Sequence, residues 1–208
     1  MFDLIYADAP WQYSRGKGAR GASDKHYRTM TLAEVKLLPV KALAEPDAVL
    51  LLWATWPMLP EALAVMDAWG FTYKTCAFEW VKTWASTPDK VYWGATQPIT
   101  GTEILEILDL ETVMGMGHYT RANTEPCLLG VRGKGLERVS ASVKQVVCTP
   151  VGAHSAKPDE VRRRIETLYG PVRRVELFAR GTPAPGWSVW GHEAETTPDM
   201  VGFAGGGL

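Results

Sequence analysis

An acid, a proline and an indole close the first apolar run of the chain, Leu4-Ile5-Tyr6-Ala7-Asp8-Ala9-Pro10-Trp11. Leu4 to Ala7 have the continuous apolar character of a short buried strand, and a carboxylate at the carboxyl end of such a strand stands where open α/β sheets bind ligands. Pro10 fixes its own φ and biases Ala9 toward an extended conformation, so the Ala9 carbonyl is aimed rather than averaged. The Asp8 carboxylate and that carbonyl are two fixed acceptors beside Trp11, whose indole is expected to be exposed. Such a set suits a planar heterocycle carrying an amino group, with the ring stacked on the indole and both amine protons bound. An isolated Asp-x-Pro-Trp is equally compatible with an ordinary strand-end turn.

Asp8-Ala9-Pro10-Trp11 resembles the Asp-Pro-Pro-Trp motif of amino-methyltransferases that modify adenine at N6. It is similar in particular to the family of the catalytic subunit of the mRNA adenosine methyltransferase and its bacterial and phage relatives, with Ala9 in place of the first proline. The resemblance continues along the chain. His26-Tyr27-Arg28-Thr29-Met30 matches a Tyr-x-Thr-Met segment and would place Tyr27 near the target base. Trp80-Val81-Lys82-Thr83 and Asn123-Thr124-Glu125, the latter before a Cys-Leu-x-Gly-Val strand, also match; the resemblance puts Glu125 near substrate. Lys157-Pro158-Asp159-Glu160, Glu176-Leu177-Phe178-Ala179-Arg180 and Gly186-Trp187 to Gly191-His192-Glu193 follow in the family's order. The family usually has Asn-Gln where this chain has His192-Glu193.

The resemblance implies a single-domain α/β, Rossmann-like methyltransferase fold, circularly permuted so that the catalytic motif comes first and the cofactor-binding strand last. It implies S-adenosylmethionine as cofactor. Phe178 and Arg180 would line its ribose and methionine, Lys157 would meet a carboxylate or phosphate, Gly191, His192 and Glu193 would flank the adenosine, and Asp8 would border the donor. No early G-x-G-x-x-G fingerprint occurs, which disfavours a dinucleotide. The activity implied is methyl transfer to the adenine N6 amine in nucleic acid, with DNA as first choice and RNA as alternative. An inactive nucleic-acid-binding relative and an amine methyltransferase acting on protein remain open.

The positioning elements follow from periodicity. Thr31 and Glu34 have capping-box spacing and open a helix. Ala48 to Ala54 read as a strand covered on both faces, Pro57 to Trp69 as a helix stopped by Gly70, and Phe71 to Thr83 as a strand, together a βαβ unit of a doubly wound sheet. Trp84 to Thr124 break the pattern apart from an acidic amphipathic piece at Glu103 to Glu111; Thr87 to Thr112 are expected to include an insertion. Pro126 to Arg132 are apolar and strand-like. Lys157-Pro158 followed by two acids opens a helix to Tyr169, with Gly170 as its stop, before a strand at Val172 to Ala179. Residues 1–195 are expected to be the methyltransferase domain and 196–208 a glycine-rich flexible tail.

With 208 residues, one domain with a proper core is expected, without room for a second module. The start lacks a basic leader and no stretch is long enough for a membrane span, so a cytoplasmic protein is expected. Three cysteines without metal-ligand spacing suggest buried thiols and no metal. A net charge of −1 makes any nucleic-acid surface local. Arg15, Lys17, Arg20, Lys25, His26 and Arg28 against a single Asp24 supply one such surface directly after the proposed site, with Arg15, Lys17 and Arg20 as candidate phosphate contacts. The oligomeric state, whether monomer or homo- or heterodimer, is open.

Overall fold

The computed structural model of the chain describes residues 1–12, 29–87, 100–115, 117, 119–152 and 156–203. Its centre is a seven-stranded sheet, formed by β1 (Phe2–Ala7), β2 (Ala44–Trp53), β3 (Thr72–Thr83), β4 (Thr124–Arg132), β5 (Val146–Pro150), β6 (Arg174–Leu177) and β8 (Ser188–Trp190), in the order β5-β3-β4-β2-β1-β6-β8. A two-stranded ribbon pairs β7 (Arg180–Gly181) with β9 (Glu193–Ala194). The helices are α1 (Leu32–Leu37), α2 (Val40–Leu43), α3 (Leu59–Ala68), α4 (Gly101–Leu110) and α5 (Asp159–Tyr169).

The apolar runs of β1 and β2 reflect burial on both faces. Ile5, Ala7, Leu50 and Leu52 face one core with Val35 of α1 and Val65 and Met66 of α3. Leu4, Tyr6, Leu51 and Trp53 face a second core with Val161, Ile165 and Tyr169 of α5. Helices on both sides of a mostly parallel sheet are the doubly wound architecture that the run lengths indicate. The capping box at Thr31 and Glu34 is present, with the Glu34 carboxylate 2.7 Å from the Thr31 amide.

The expected βαβ unit needs correction. β2 and β3 point the same way, but β4 lies between them and is antiparallel to both. Strand order is set by which apolar faces fit together over 40 to 80 residues of sequence, a long-range property that local periodicity does not contain. The helix expected at Pro57 begins as a 3-10 turn at Trp56–Met58, and α3 proper takes Pro60 into its first turn, where the missing N–H is harmless. Gly70 ends this region with a φ of 82°, as expected of a helix stop. The strand expected to run to Ala179 ends at Leu177, because Phe178 leaves the extended region with a φ of 63°.

The tail expected from residue 196 is also corrected. Pro198–Met200 form a 3-10 turn, Met200 is buried, and the Phe203 ring packs edge-on against Trp190 with centroids 4.8 Å apart. Among the described residues no helix is long and apolar enough to cross a membrane.

Candidate active site

Asp8 follows β1, whose last residue, Ala7, pairs with Leu52 of β2 on one side and Leu177 of β6 on the other. The chain leaving β1 turns toward the first core, where Trp11 and Met30 pack. The chain leaving β6 sets Phe178 against the first core and then crosses to the second, where Ala179, Ala184 and Trp187 pack. Connections that diverge to opposite faces open a crevice at the carboxyl ends of the two strands. Asp8 stands on one side of that crevice and Phe178 on the other.

Because β4 is antiparallel, its first residues arrive at this same edge. Glu125 pairs with Trp80 of β3, and Cys127 pairs with Trp53. Lys157, just ahead of α5, reaches across: its Nζ is 2.7 Å from Asp8 Oδ2 and 3.1 Å from Glu125 Oε1. Glu125 Oε2 is in turn 2.6 Å from Lys82 Nζ. The result is a row of alternating charge, Asp8, Lys157, Glu125 and Lys82. Two indoles flank it: Lys157 lies over the Trp53 ring at 5.5 Å and Lys82 over Trp80 at 5.0 Å.

The two carboxylates in the row differ in what holds them. Burial pushes Glu125 up, but Lys157 and Lys82 outweigh it and keep this carboxyl below its ordinary value. Asp8 shares Lys157 with Glu125, so burial, together with the Glu125 charge, leaves its carboxyl above the ordinary value despite the lysine and Arg180. For Lys157, burial is overcome by Asp8 and Glu125, which hold the ammonium firmly charged. The sequence offered Lys157 only as a contact for a carboxylate or phosphate of the cofactor. Its partners here are two carboxylates of the protein. No local pattern links residues 149 positions apart, and Lys82, in the quoted Trp-Val-Lys-Thr segment, was missed for the same reason.

The Ala9 carbonyl accepts the Trp11 amide at 2.9 Å, a tight turn that fixes its direction and leaves one lone pair for a second donor. Pro10 lines the site beside it. Trp11 requires a correction. The residue is only 6% exposed, it packs in the first core, and its Nε1 donates to the Trp53 carbonyl at 3.2 Å. An indole is amphipathic enough to suit either a wet rim or a core, and here the apolar face of β1 and β2 takes it. It braces the Asp8 turn and offers no open face for stacking. Tyr27, Arg15, Lys17 and Arg20 lie outside the described residues.

Two cavities meet at Asp8, Phe178 and Arg180. One, of about 320 Å³, is also lined by Lys157, Arg162 and Glu176. The other, of about 100 Å³, is lined by Pro10, His192 and Glu193 as well. Arg162 grips Glu176 through two bonds of 2.8 and 2.7 Å, a pair that the sequence reading did not single out. Arg180 Nε lies 3.4 Å from Glu193 Oε2 across the ribbon. A larger cleft, of about 700 Å³ and lined by Phe2, Arg173 and Asp199, sits at the amino end of β1 and far from Asp8.

The backbone around these cavities is shaped by close approach. A Cβ on Gly191 would stand 2.3 Å from the Ala179 carbonyl oxygen and 2.5 Å from its nitrogen, so only glycine lets β8 leave so near the end of β6. Phe178 holds a left-handed φ that a non-glycine residue adopts at a cost, and such strain gathers at ligand sites.

Residues 2–193 match the model of the MT-A70 family. The chain belongs to the MT-A70 family. A type II methyltransferase, M.MunI, of a Mycoplasma species is 29% identical over 210 residues, spanning 92% of this chain and 77% of that protein. The human N(6)-adenosine-methyltransferase catalytic subunit METTL3 is 25% identical over 205 residues, 96% of this chain and 30% of its own length. A probable N(6)-adenosine-methyltransferase of rice, named MT-A70-like, is 26% identical over 194 residues, 93% of this chain and 23% of its own. The chain thus spans under a third of the length of these adenosine methyltransferases. MT-A70 enzymes use S-adenosylmethionine to methylate the N6 amine of adenine.

The cavities at Asp8 suit that donor. Phe178 offers a ring, Asp8 and Glu193 offer acceptors for an ammonium and for ribose hydroxyls, and Arg180 offers a cation for a carboxylate, while Arg162 and Glu176 close one wall as a pair.

Proposed function

We propose that this MT-A70 chain methylates adenine N6 in DNA, at the crevice between β1 and β6. The observation that carries the reading is the Asp8 carboxylate, which lines both cavities together with Phe178 and Arg180; the Ala9 carbonyl next to it in the chain is the second acceptor of the reading. An adenine amine is a poor nucleophile because its lone pair is delocalised into the ring. Two acceptors that accept hydrogen bonds from both of its N–H groups favour a pyramidal nitrogen and direct the lone pair away from them; as the N–C bond forms and the S–C bond breaks, the methylated nitrogen gives up one proton and the donor leaves as the neutral thioether. The bound donor supplies a methyl group on a sulfonium, already activated for displacement. Lys157, itself tied to Glu125, holds the Asp8 carboxylate in place, so alignment and fixed charge do most of the work, without a covalent enzyme intermediate. In a duplex the base must first leave the stack.

Support for DNA comes from the similarity to the type II methyltransferase, which is 29% identical against 26% and 25% for the adenosine methyltransferases of rice and human. The similarity to METTL3 favours RNA as the second reading. The strand order, with Asp8 after β1 and the donor residues after the neighbouring β6, supports a circularly permuted Rossmann-like chain. Incubation with labelled donor and equal amounts of DNA and RNA, followed by digestion to nucleosides, tests the substrate. Label in N6-methyl-2′-deoxyadenosine is expected, and label confined to the ribonucleoside would overturn the DNA assignment.

A further inference from the structure

We propose that Trp56 is a stacking platform for the nucleobase next to the target adenine. This rests on the nucleic-acid methyltransferase reading above. The withdrawal of Trp11 into the core takes its indole away from the open side of the Asp8 turn. Among the described residues the exposed aromatic side chains are Trp56, Tyr73, Trp84 and Tyr119. Tyr73 is at the start of β3, on the far edge of the sheet. The other three sit at the edge that carries Asp8: Trp56 just beyond β2, Trp84 just beyond β3 and Tyr119 ahead of β4. Of these, Trp56 follows the strand directly beside β1.

Register gives the reach. Ala7 pairs with Leu52, so Asp8 is level with Trp53 and Trp56 is three residues further on. With strands about 4.8 Å apart and at most about 3.6 Å of chain per residue, the Trp56 backbone is within about 15 Å of Asp8. That is a span a neighbouring nucleotide can bridge.

Trp56 is also held still. Its Nε1 is 3.2 Å from Glu79 Oε1 and 3.3 Å from Thr124 Oγ1. Thr124 precedes Glu125 on β4 and so faces the other side of the sheet, which places the anchored ring beside the same strand ends as the charge row but on the first-core face. Trp56 is nevertheless 49% exposed, with its N–H turned to the protein. A large apolar ring, oriented by two bonds and left open to solvent on the rim of a base-modifying site, is what stacking on an unpaired base requires, and the interaction needs no particular sequence.

The test uses oligonucleotide pools, in DNA and RNA form, with one fixed adenine and randomised flanks. Trp56→Leu removes the ring while keeping apolar bulk, and Trp56→Phe restores a ring without the N–H. Trp56→Leu is expected to raise KM about tenfold, with kcat and the thermal shift given by S-adenosylhomocysteine unchanged. Trp56→Phe is expected to recover most of the loss. In the unaltered protein, 5-iodouracil placed beside the adenine is expected to photo-crosslink to Trp56. An unchanged KM in Trp56→Leu, or a Phe variant no better than the Leu variant, would overturn the proposal. If Trp56→Leu does not fold, the Phe variant and the crosslink decide, and a crosslink that avoids Trp56 overturns it. Absence of N6-methyladenine from both pools with the unaltered protein would instead overturn the reading of function, and this inference with it.

Discussion

Replacing Lys157 by Met isolates the charge row at the site. Lys157 is 6% exposed at its side chain and lies 2.7 Å from Asp8 and 3.1 Å from Glu125. Methionine keeps most of the stem volume but removes the cation, leaving Asp8 and Glu125 as like charges that face each other. Glu125 retains Lys82, whereas Asp8 loses its only close cationic contact in the row. Breaking a buried pair by removing one partner costs about 3–5 kcal/mol, and the 24% exposure of the Asp8 side chain puts this case near the lower end, about 3 kcal/mol. The loss depends on pH. Asp8 already lies above its ordinary value, through burial and Glu125, and the variant lifts it further. A carboxyl with a raised native pKa binds more protons folded than unfolded, so stability falls as pH rises from the unfolded to the native value. The defect in Lys157→Met is therefore expected to be largest at pH 8 and to shrink by pH 5. Urea unfolding followed by tryptophan fluorescence at both pH values measures it. A loss below about 1 kcal/mol at pH 8, or an equal loss at both, would refute the view that Lys157 balances two buried carboxylates.

Trp11→Ala is expected to destabilise the fold by about 3–5 kcal/mol in urea unfolding, because it empties a core position; full stability would put the indole back at the surface. Gly191→Ala is expected to diminish the thermal shift given by S-adenosylhomocysteine, since the added Cβ meets the Ala179 backbone at 2.3 Å; an undiminished shift would show that this junction does not shape the donor site. Glu125→Gln removes a charge that raises Asp8, so the acid limb of the pH–rate profile is expected to move to lower pH, and a limb that stays in place would exclude Asp8 as the group that titrates there.

Much of the architecture is written locally. The two-sided burial of β1 and β2, the Thr31 capping box, the Gly70 and Gly170 stops and the position of Asp8 at a strand end each rest on a few neighbouring residues, which suffice to dictate them. What sequence patterns could not reveal depends on contacts distant along the chain. The antiparallel insertion of β4 brings Glu125 to Asp8, and Lys157 closes the row from 149 positions away. Trp11 misled because an indole after a strand-end proline has the same local signature whether it faces solvent or core. The glycines around Phe203 suggest a flexible tail, yet its ring packs edge-on against Trp190, a contact between side chains that composition does not contain.

Single-turnover methyl transfer by the unaltered protein and by Asp8→Asn, with the labelled nucleoside identified, addresses the acceptor role of Asp8 directly. The amide keeps the shape of the carboxylate but removes its charge and turns half of it into a donor. The expected result is label in N6-methyladenine with the unaltered protein and a loss of about 100-fold or more in Asp8→Asn, on the scale of losing a preorganised electrostatic contact, while S-adenosylhomocysteine still raises the melting temperature. Near-normal transfer by Asp8→Asn, or label on any atom other than the adenine N6, would contradict it.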